Sequence, residues 1–387
     1  MKKSLIALAF GTLGLGIAEF VMMAILPDVA KDLNVSIASA GHLISAYALG
    51  VCTGAPMLVL ARKFQLKYIL MTLVVLMMIG NIGASLAPNY WTLMGARFIS
   101  GLPHGAYFGV GSIVAEKLAD KGKGAQAIAI MVTGMTIANL LGVPLGSWIS
   151  VAISWRVTFM IVGLWSIITL YYIWIWVPKV ANLPDTGLKG QFRFLKSPAP
   201  WLLIGATVLG NAGVFSWYSY VNPLLVKISG FKPNDITYLM LLAGLGMVIG
   251  NLTTGKMADR YAPGKVAAIV QSGLCIILLL IFIFSPIHWA SVALMFLCTT
   301  GLFALSSPQQ LLLIRYSEGG EMLGAASVQI AFNMGNAIGA YCGGLALQEG
   351  LDYRYPSLVG VPFALMGAVL LFTFYRRYEK NKQTEVI

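Results

Sequence analysis

Three side chains carry a charge or a titratable ring inside otherwise apolar stretches: Glu19, Arg97 and His104. An ionisable group in such a stretch is costly to hold and by default marks a functional site. Arg97, Gly101, His104 and Phe108 follow the spacing i, i+4, i+7, i+11, which is one face of a helix. Glu19 lies seven residues before the end of its apolar run at Leu26, and Arg97 lies five or six residues into its own. At a rise of about 1.5 Å per residue, two antiparallel helices would hold both groups roughly 10 Å below the same surface. Burial favours a neutral carboxyl, whereas a neighbouring guanidinium favours a carboxylate. Moving Arg97 relative to Glu19, or admitting water, would therefore switch Glu19 between protonated and charged states, which is the chemistry of proton coupling. The alternative is a static lock between two helices. His104 fits a proton relay or a hydrogen-bond partner for a solute, and also a ring packed beside Gly105.

Other apolar runs offer neutral polar groups. Asn211, Phe215, Tyr218 and Asn222 share one helical face by this spacing. Thr299, Phe303, Ser306 and Gln310 share a second, and Gln329, Asn333 and Asn336 a third. Phe20, Tyr47, Phe108 and Asn139 add rings and an amide from the first part of the chain. Together they suit a cavity with protonation on one wall and solute contacts on the other. Amides, hydroxyls and rings favour a neutral polar or amphipathic small molecule, such as a sugar or a drug, over a multivalent ion. Each could instead bond one helix to the next.

These groups need long apolar helices to position them, and the composition supplies such helices. Of 387 residues, 58% are hydrophobic and 10% charged, against about 25% charged in an ordinary soluble protein. The mean hydropathy is +0.81. Only lipid can act as solvent for so much apolar surface, and in lipid the backbone is satisfied by helices or closed barrels. The apolar runs are too long for barrel strands. The expected fold is all-α and integral to the membrane, with spans near 4–26, 38–60, 67–87, 92–115, 126–150, 156–177, 199–226, 235–255, 265–284, 289–313, 322–347 and 356–375. The opening Met1-Lys2-Lys3 and its apolar run mimic a signal peptide but read as a retained first helix. The expected organisation is an N-terminal six-helix bundle (1–177), a cytoplasmic linker (178–198) and a C-terminal six-helix bundle (199–387).

The net charge of +12 has a topological explanation. With both termini on one side, 20 of the 26 Lys and Arg fall on that side, Lys382 among them. Five fall opposite, and Arg97 lies within a span. The positive-inside bias then places both termini and the linker in the cytoplasm of a bacterial cell. It also uses up the basic charge that might otherwise suggest nucleic acid. Punctuating residues repeat at one offset. Leu13-Gly14, Pro27 and Lys31 recur 196 residues later as Leu209-Gly210, Pro223 and Lys227. Gly50 and Gly54 recur as Gly246 and Gly250, and Asn139, Gly142 and Gly146 as Asn336, Gly339 and Gly343. The two bundles are therefore expected to be pseudo-symmetric, an arrangement that lets transporter halves rock about a midplane site.

No phosphate-binding lysine loop and no zinc-ligand spacing occurs, so no cofactor or metal is expected and an enzyme is not. Gly244-Leu-Gly246-Met-Val-Ile-Gly250 has dinucleotide-like glycines but lies within a span, where small residues serve helix contact. Cys52, Cys275, Cys298 and Cys342 read as small apolar residues.

Several segments resemble the major facilitator superfamily. Gly255-Lys-Met-Ala-Asp259-Arg260-Tyr-Ala-Pro-Gly264-Lys265 resembles its loop signature, which implies a charge network at the cytoplasmic gate. Arg97-Phe-Ile-Ser-Gly101-Leu-Pro-His104-Gly105 resembles the fourth-span motif of its twelve-span drug:proton antiporters, where the Arg is tied to proton transfer. Gly134-Met-Thr-Ile-Ala-Asn139-Leu-Leu-Gly142-Val-Pro144-Leu-Gly146 resembles their antiporter motif, whose Gly and Pro shape a bend that seals the interior. The segments AEFVMMAILPDVA and HLISAYALGVCTGAP look like the arabinose or sugar efflux permease branch. One departure stands out. The loop after span two, Leu60-Ala61-Arg62-Lys63, holds Ala61 where the superfamily has Asp, so Arg62 lacks that carboxylate. The resemblance implies a monomeric proton-coupled efflux antiporter. A facilitator or importer of the same fold, or a membrane sensor without transport, are the rival readings.

Overall fold

The computed structural model describes residues 2–181 and 183–380. Lys382 and the last residues of the 199–387 assignment lie outside them. Among the described residues the chain forms twelve long helical segments. They are α1 (Lys2–Asp32), α2 (Ile37–Met57), α3 (Leu66–Ser85), α4 (Tyr90–Lys117), α5 (Gly124–Ala152) and α6 (Trp155–Trp176). They continue as α7 (Pro198–Lys227), α8 (Ile236–Arg260), α9 (Pro263–Phe284), α10 (His288–Arg315), α11 (Glu321–Gln348) and α12 (Tyr355–Glu379). Ten are long and apolar enough to cross a membrane. The other two, α4 and α11, have 28 residues each. Their apolar character is diluted by Arg97 and His104 in α4, and by Gln329, Asn333 and Asn336 in α11. The protein is a multi-pass membrane protein.

The helices start where side chains can cap them. Ser36, Ser154 and Ser197 accept from backbone N–H groups in the first turns of α2, α6 and α7. At α4, Asn89 accepts from the Thr92 amide at 3.0 Å while Thr92 Oγ1 accepts from the Asn89 amide at 3.3 Å. This reciprocal box fixes where the α4 register begins.

Three expected boundaries or registers change, each for a physical reason. Helix α1 does not stop at Leu26 but runs through Pro27 to Asp32. Its last turns are held by Asp28, which accepts from Ser150 Oγ at 2.5 Å, and by Asp32, which pairs with Arg156 and accepts from Trp155 Nε1 at 3.2 Å. Helix α7 breaks after Tyr218 and resumes at Val221. Pro223 cannot donate to the Ser219 carbonyl, and the Tyr220 hydroxyl is anchored instead on Ala340 O at 2.7 Å. Asn222 therefore loses the register shared by Asn211, Phe215 and Tyr218, and is exposed. Helix α10 is likewise interrupted at Leu305, because Pro308 cannot donate to the Ala304 carbonyl.

The chain forms two compact units, Met1–Phe194 with Ser317–Ile330, and Leu195–Tyr316 with Ala331–Ile387. Within 178–198 lie the short helix Gly187–Gln191 and a tight turn at Arg193–Lys196.

Repeated glycines do the same work in both units. A Cβ on Gly50 or Gly54 of α2 would collide with the carbonyl oxygens of Phe98 and Leu102 in α4. A Cβ on Gly246 or Gly250 of α8 would collide with Phe296 O and Thr300 O in α10. Without a hydrophobic driving force between helices in lipid, such close backbone contact is what holds them together.

Candidate functional site

Helix α4 delivers Arg97 and His104 to the interior of the first unit. It does so because α2 lies close against it, with the Tyr47 carbonyl over the Cα of Gly101. That approach brings the Tyr47 side chain to His104, whose Nδ1 is 2.8 Å from the Tyr47 hydroxyl. The other ring nitrogen, Nε2, faces Glu19 Oε2 of α1 at 3.7 Å. This is an ion-pair distance, longer than a hydrogen bond. The His104 ring stacks on Phe108 at 5.2 Å and 15°, and the Tyr47 ring meets it edge-on. Glu19 is 7% exposed, and Arg97 and His104 are 0% exposed. Neither Glu19 Oε2 nor His104 Nε2 has a hydrogen-bond partner among the described residues.

The arrangement couples the imidazole tautomer to one hydroxyl. When Tyr47 donates to Nδ1, the neutral imidazole carries its proton on Nε2, toward Glu19. When Tyr47 turns its hydroxyl to Leu15 O, 3.3 Å away, Nδ1 must itself carry a proton and donate to the Tyr47 oxygen. Rotation of one hydroxyl thus changes which end of the imidazole is protonated.

Arg97 takes a different place from the one its depth suggests. Its Nη1 donates to Ala18 O at 2.7 Å and its Nε to Leu43 O at 3.4 Å. The guanidinium lies 4.5 Å from the centre of the Tyr47 ring and 5.5 Å from that of Phe159. It grips the backbone next to Glu19, and the His104 ring rather than the guanidinium stands at 3.7 Å from that carboxyl. Arg97 Nη2 has no hydrogen-bond partner among the described residues.

Helix α5 supports Glu19 from behind. Gly142 and Gly146 pack on Ile17 and Val21, which flank Glu19 by two residues on either side. Just before Pro144 the helix widens over Ala138–Gly142, where the Val143 amide reaches back to Ala138 O. The wide turn absorbs the bond that Pro144 cannot make. Asn139 is partly buried, and its amide donates to Met135 O at 3.1 Å within α5. Phe20 is partly buried.

In the second unit the expected faces of α7, α10 and α11 converge on rings. Phe215 meets Tyr218 at 5.5 Å and Phe332 at 5.7 Å, and Phe332 meets Phe303 at 6.5 Å. Phe332 is the hub of this cluster and was missed in the sequence. Its signal was its place beside Asn333 on a helix already marked by amides. Asn211 donates to Thr207 O at 2.8 Å and packs on Gly335. Gln310 is buried, Ser306 and Asn333 are partly buried, and the Oδ1 of Asn336 has no hydrogen-bond partner among the described residues. Thr299 is used up by Met295 O and Phe296 O. Sequence reasoning also passed over Gln309, whose Nε2 is buried with no partner among the described residues, and Asn251, which accepts from Ser307 Oγ at 2.7 Å.

Of the loop residues, Arg62 is paired at 2.9 Å with Asp185 from the 178–198 segment. The carboxylate absent at Ala61 is thus replaced by one from elsewhere in the chain. Asp185 also accepts from the Gly187 amide at 3.0 Å. Next to it, Thr186 Oγ1 and Gln191 Nε2 donate to Gly319 O at 2.6 and 3.1 Å. In the corresponding second-unit loop Gly255 is buried, Asp259 is partly buried, and Arg260 is exposed over the Tyr261 ring at 5.7 Å.

Residues 8–328 match the family model of the Major Facilitator Superfamily. The chain is 47% identical over 382 residues to AraJ of Escherichia coli (strain K12), a protein named as a transporter, covering 98% of this chain and 97% of that one. It is 28% identical over 374 residues to a Helicobacter pylori (strain J99) protein named as a probable sugar efflux transporter, covering 95% and 92%. Among solved structures, the fucose:proton symporter FucP of Escherichia coli superposes with a TM-score of 0.78 at 16% identity, covering 96% of this chain and 98% of that one. At that identity the likeness concerns the fold.

Proposed function

Because this chain belongs to the Major Facilitator Superfamily, whose members carry small molecules across membranes, we propose that it is a proton-coupled antiporter exporting a small neutral polar or amphipathic solute, a sugar or a drug. The observation that carries the proposal is Glu19 held 3.7 Å from His104 inside the first unit, with the Tyr47 hydroxyl 2.8 Å from the far side of the ring. Two carriers for one proton, with no salt-bridging arginine between them, suit a group that must load and unload. A purely structural pair would gain from closer contact and full hydrogen bonding, since burying partly satisfied ions is costly.

In this reading Glu19 is the proton carrier and His104, bonded to Tyr47, its relay. Arg97 acts through its field and its hold on the Ala18 carbonyl. The Phe215, Phe332 and Phe303 rings offer apolar faces to a sugar or drug, and Gln309, Gln310, Asn333 and Asn336 offer amides that can bond hydroxyls. The relative named for sugar efflux supports this class. The bend at Gly142, Pro144 and Gly146 and the loops at Arg62 and at Gly255, Asp259 and Arg260 belong to gating. The excess of basic residues supports a cytoplasmic location for both termini in a bacterial inner membrane, with 178–198 linking bundles 1–177 and 199–387 in a monomer.

The test has two stages. A thermal-shift screen of sugars, nucleosides and antibiotics on the purified protein identifies the solute. Proteoliposomes with an imposed pH gradient then compare wild type with Glu19→Gln. The proposal expects gradient-driven movement to vanish in the variant while counterflow of solute persists. Gradient-driven movement by Glu19→Gln at the wild-type rate sinks it and favours uncoupled facilitation.

A further inference from the structure

The first unit contains an apolar pocket of about 390 Å³ between α2, α3 and α4. This volume lies in the range, about 300–1,000 Å³, that holds a drug-sized ligand. Its walls are Gly54, Leu58, Leu73, Leu76, Leu102 and Ala106, and its mouth carries Met57, Phe64 and Tyr68, all exposed. The only hydroxyls in the lining are those of Tyr68 and Thr72, and Thr72 Oγ1 already donates to Tyr68 O at 3.0 Å.

The pocket has a direction. It begins at the α2–α3 loop and reaches Leu76, ten residues into α3 from Leu66. At about 1.5 Å per residue this is about 15 Å, half the thickness of a bilayer core of about 30 Å. An apolar slot one leaflet deep, open at the membrane surface, has the length of a single acyl tail. A soluble ligand would require polar groups along its depth, and beyond Thr72 the lining offers none.

Cations stand at the open end. Lys63 adjoins Phe64, Lys67 adjoins Tyr68 and donates to Trp174 O at 2.6 Å, and Lys179 Nζ lies 5.8 Å from the centre of the Tyr68 ring. No carboxylate pairs with any of the three among the described residues. Asp185, the nearby acid, is bonded to Arg62 at 2.9 Å. Asp185 also feels the Lys63 charge, but one carboxylate set against Arg62 and three lysines leaves the mouth with an excess of positive charge where a phospholipid would place its phosphate, and basic residues there attract anionic lipid.

We propose that this pocket binds one anionic phospholipid of the adjoining leaflet, with a tail along Leu58, Leu73 and Leu76 and the headgroup among Lys63, Lys67 and Lys179. The site is separate from the Glu19–His104 pair, and its occupancy is measured without transport.

The experiment reconstitutes the full chain in phosphatidylcholine bilayers containing a trace of photoactivatable lipid with a diazirine in its tail, either phosphatidylglycerol or phosphatidylcholine. Adducts are located by peptide mass spectrometry. Phosphatidylglycerol is expected to label residues 57–76 at least fivefold more than phosphatidylcholine does. Lys63→Gln/Lys179→Gln, which spares the Lys67–Trp174 bond, is expected to remove most of that preference. Thr72→Phe, which fills the slot, is expected to lower labelling by both lipids. Equal labelling by the two lipids, or a preference unchanged in the double variant, overturns the proposal, as does labelling in the Thr72→Phe variant equal to wild type.

Discussion

Glu19 Oε2 lies 3.7 Å from His104 Nε2, while the Tyr47 hydroxyl holds the opposite nitrogen of the same ring at 2.8 Å. The two ring nitrogens thus have separate tasks. An amide can imitate either nitrogen as a hydrogen-bond partner but cannot take up and release a proton. His104→Gln and His104→Asn are therefore both expected to lose pH-gradient-driven transport by about 100-fold or more, while counterflow of solute persists. Proteoliposome rates for the two variants, with thermal unfolding as a folding control, check this. Gradient-driven transport at the wild-type rate in either folded variant would remove His104 from the proton path.

Arg97 is a backbone clamp as well as a charge. Lysine keeps the charge but cannot span Ala18 O and Leu43 O from one ammonium, nor lie flat over Tyr47. Arg97→Lys is expected to lose about 1–3 kcal/mol of stability, the worth of a hydrogen bond from a charged donor. Thermal unfolding in detergent measures it. A variant as stable as wild type would show that these bonds hold nothing.

The helix contacts at Gly54 and Gly250 predict matched damage in the two units. Gly54→Val and Gly250→Val each press a side chain into a carbonyl of the facing helix, Leu102 O and Thr300 O. Each is expected to cost about 1–3 kcal/mol, the usual range for overpacking. Gly95→Ala is the control, because a Cβ there meets nothing within 4 Å. Yield and unfolding temperature of the three variants, compared side by side, decide the point.

At Asp185 the Gly187 amide, and after it the Arg62 guanidinium, hold the carboxyl below its usual range. A carboxyl stabilised in its charged form contributes fully above the ordinary carboxylate value of about 4. The contribution is lost as pH falls through the lowered value. The protection of the 187–191 amides, meaning exchange relative to the base-catalysed rate of a free chain at the same pH, is therefore expected to be flat at neutral pH and to fall under acid. Asp185→Asn, which can still accept from Gly187 but lacks the charge, is expected to raise exchange at pH 7 by up to about fivefold, since the pair is exposed. Unchanged exchange in this variant would mean the pair does not hold the segment.

Much of the architecture could be read from residue order. Bilayer thickness turns apolar runs into helices of known length, so the spans followed from composition and the duplicated glycines from a fixed offset. Glu19, Arg97 and His104 stood out because an ionisable group in such a run is conspicuous. The failures were local and have causes. Pro27 and Pro223 are counterparts in the repeat, yet α1 continues through one and α7 breaks before the other. The difference comes from Tyr220 reaching across to Ala340 O, a contact that no one-dimensional spacing contains. Asn222 fell out of its expected face for the same reason.

The helical membrane class, the repeat and the identity of the few buried ionisable groups follow from hydropathy and period alone. Which groups meet is a matter of three-dimensional packing. It gave Glu19 to His104 and Arg97 to the backbone, made Phe332 the hub of the second-unit rings, and supplied Arg62 with a carboxylate from 123 residues away. Pairing is decided by side-chain reach and helix approach in three dimensions, and the close approach that Gly50, Gly54 and Gly101 permit is what put Tyr47 on His104.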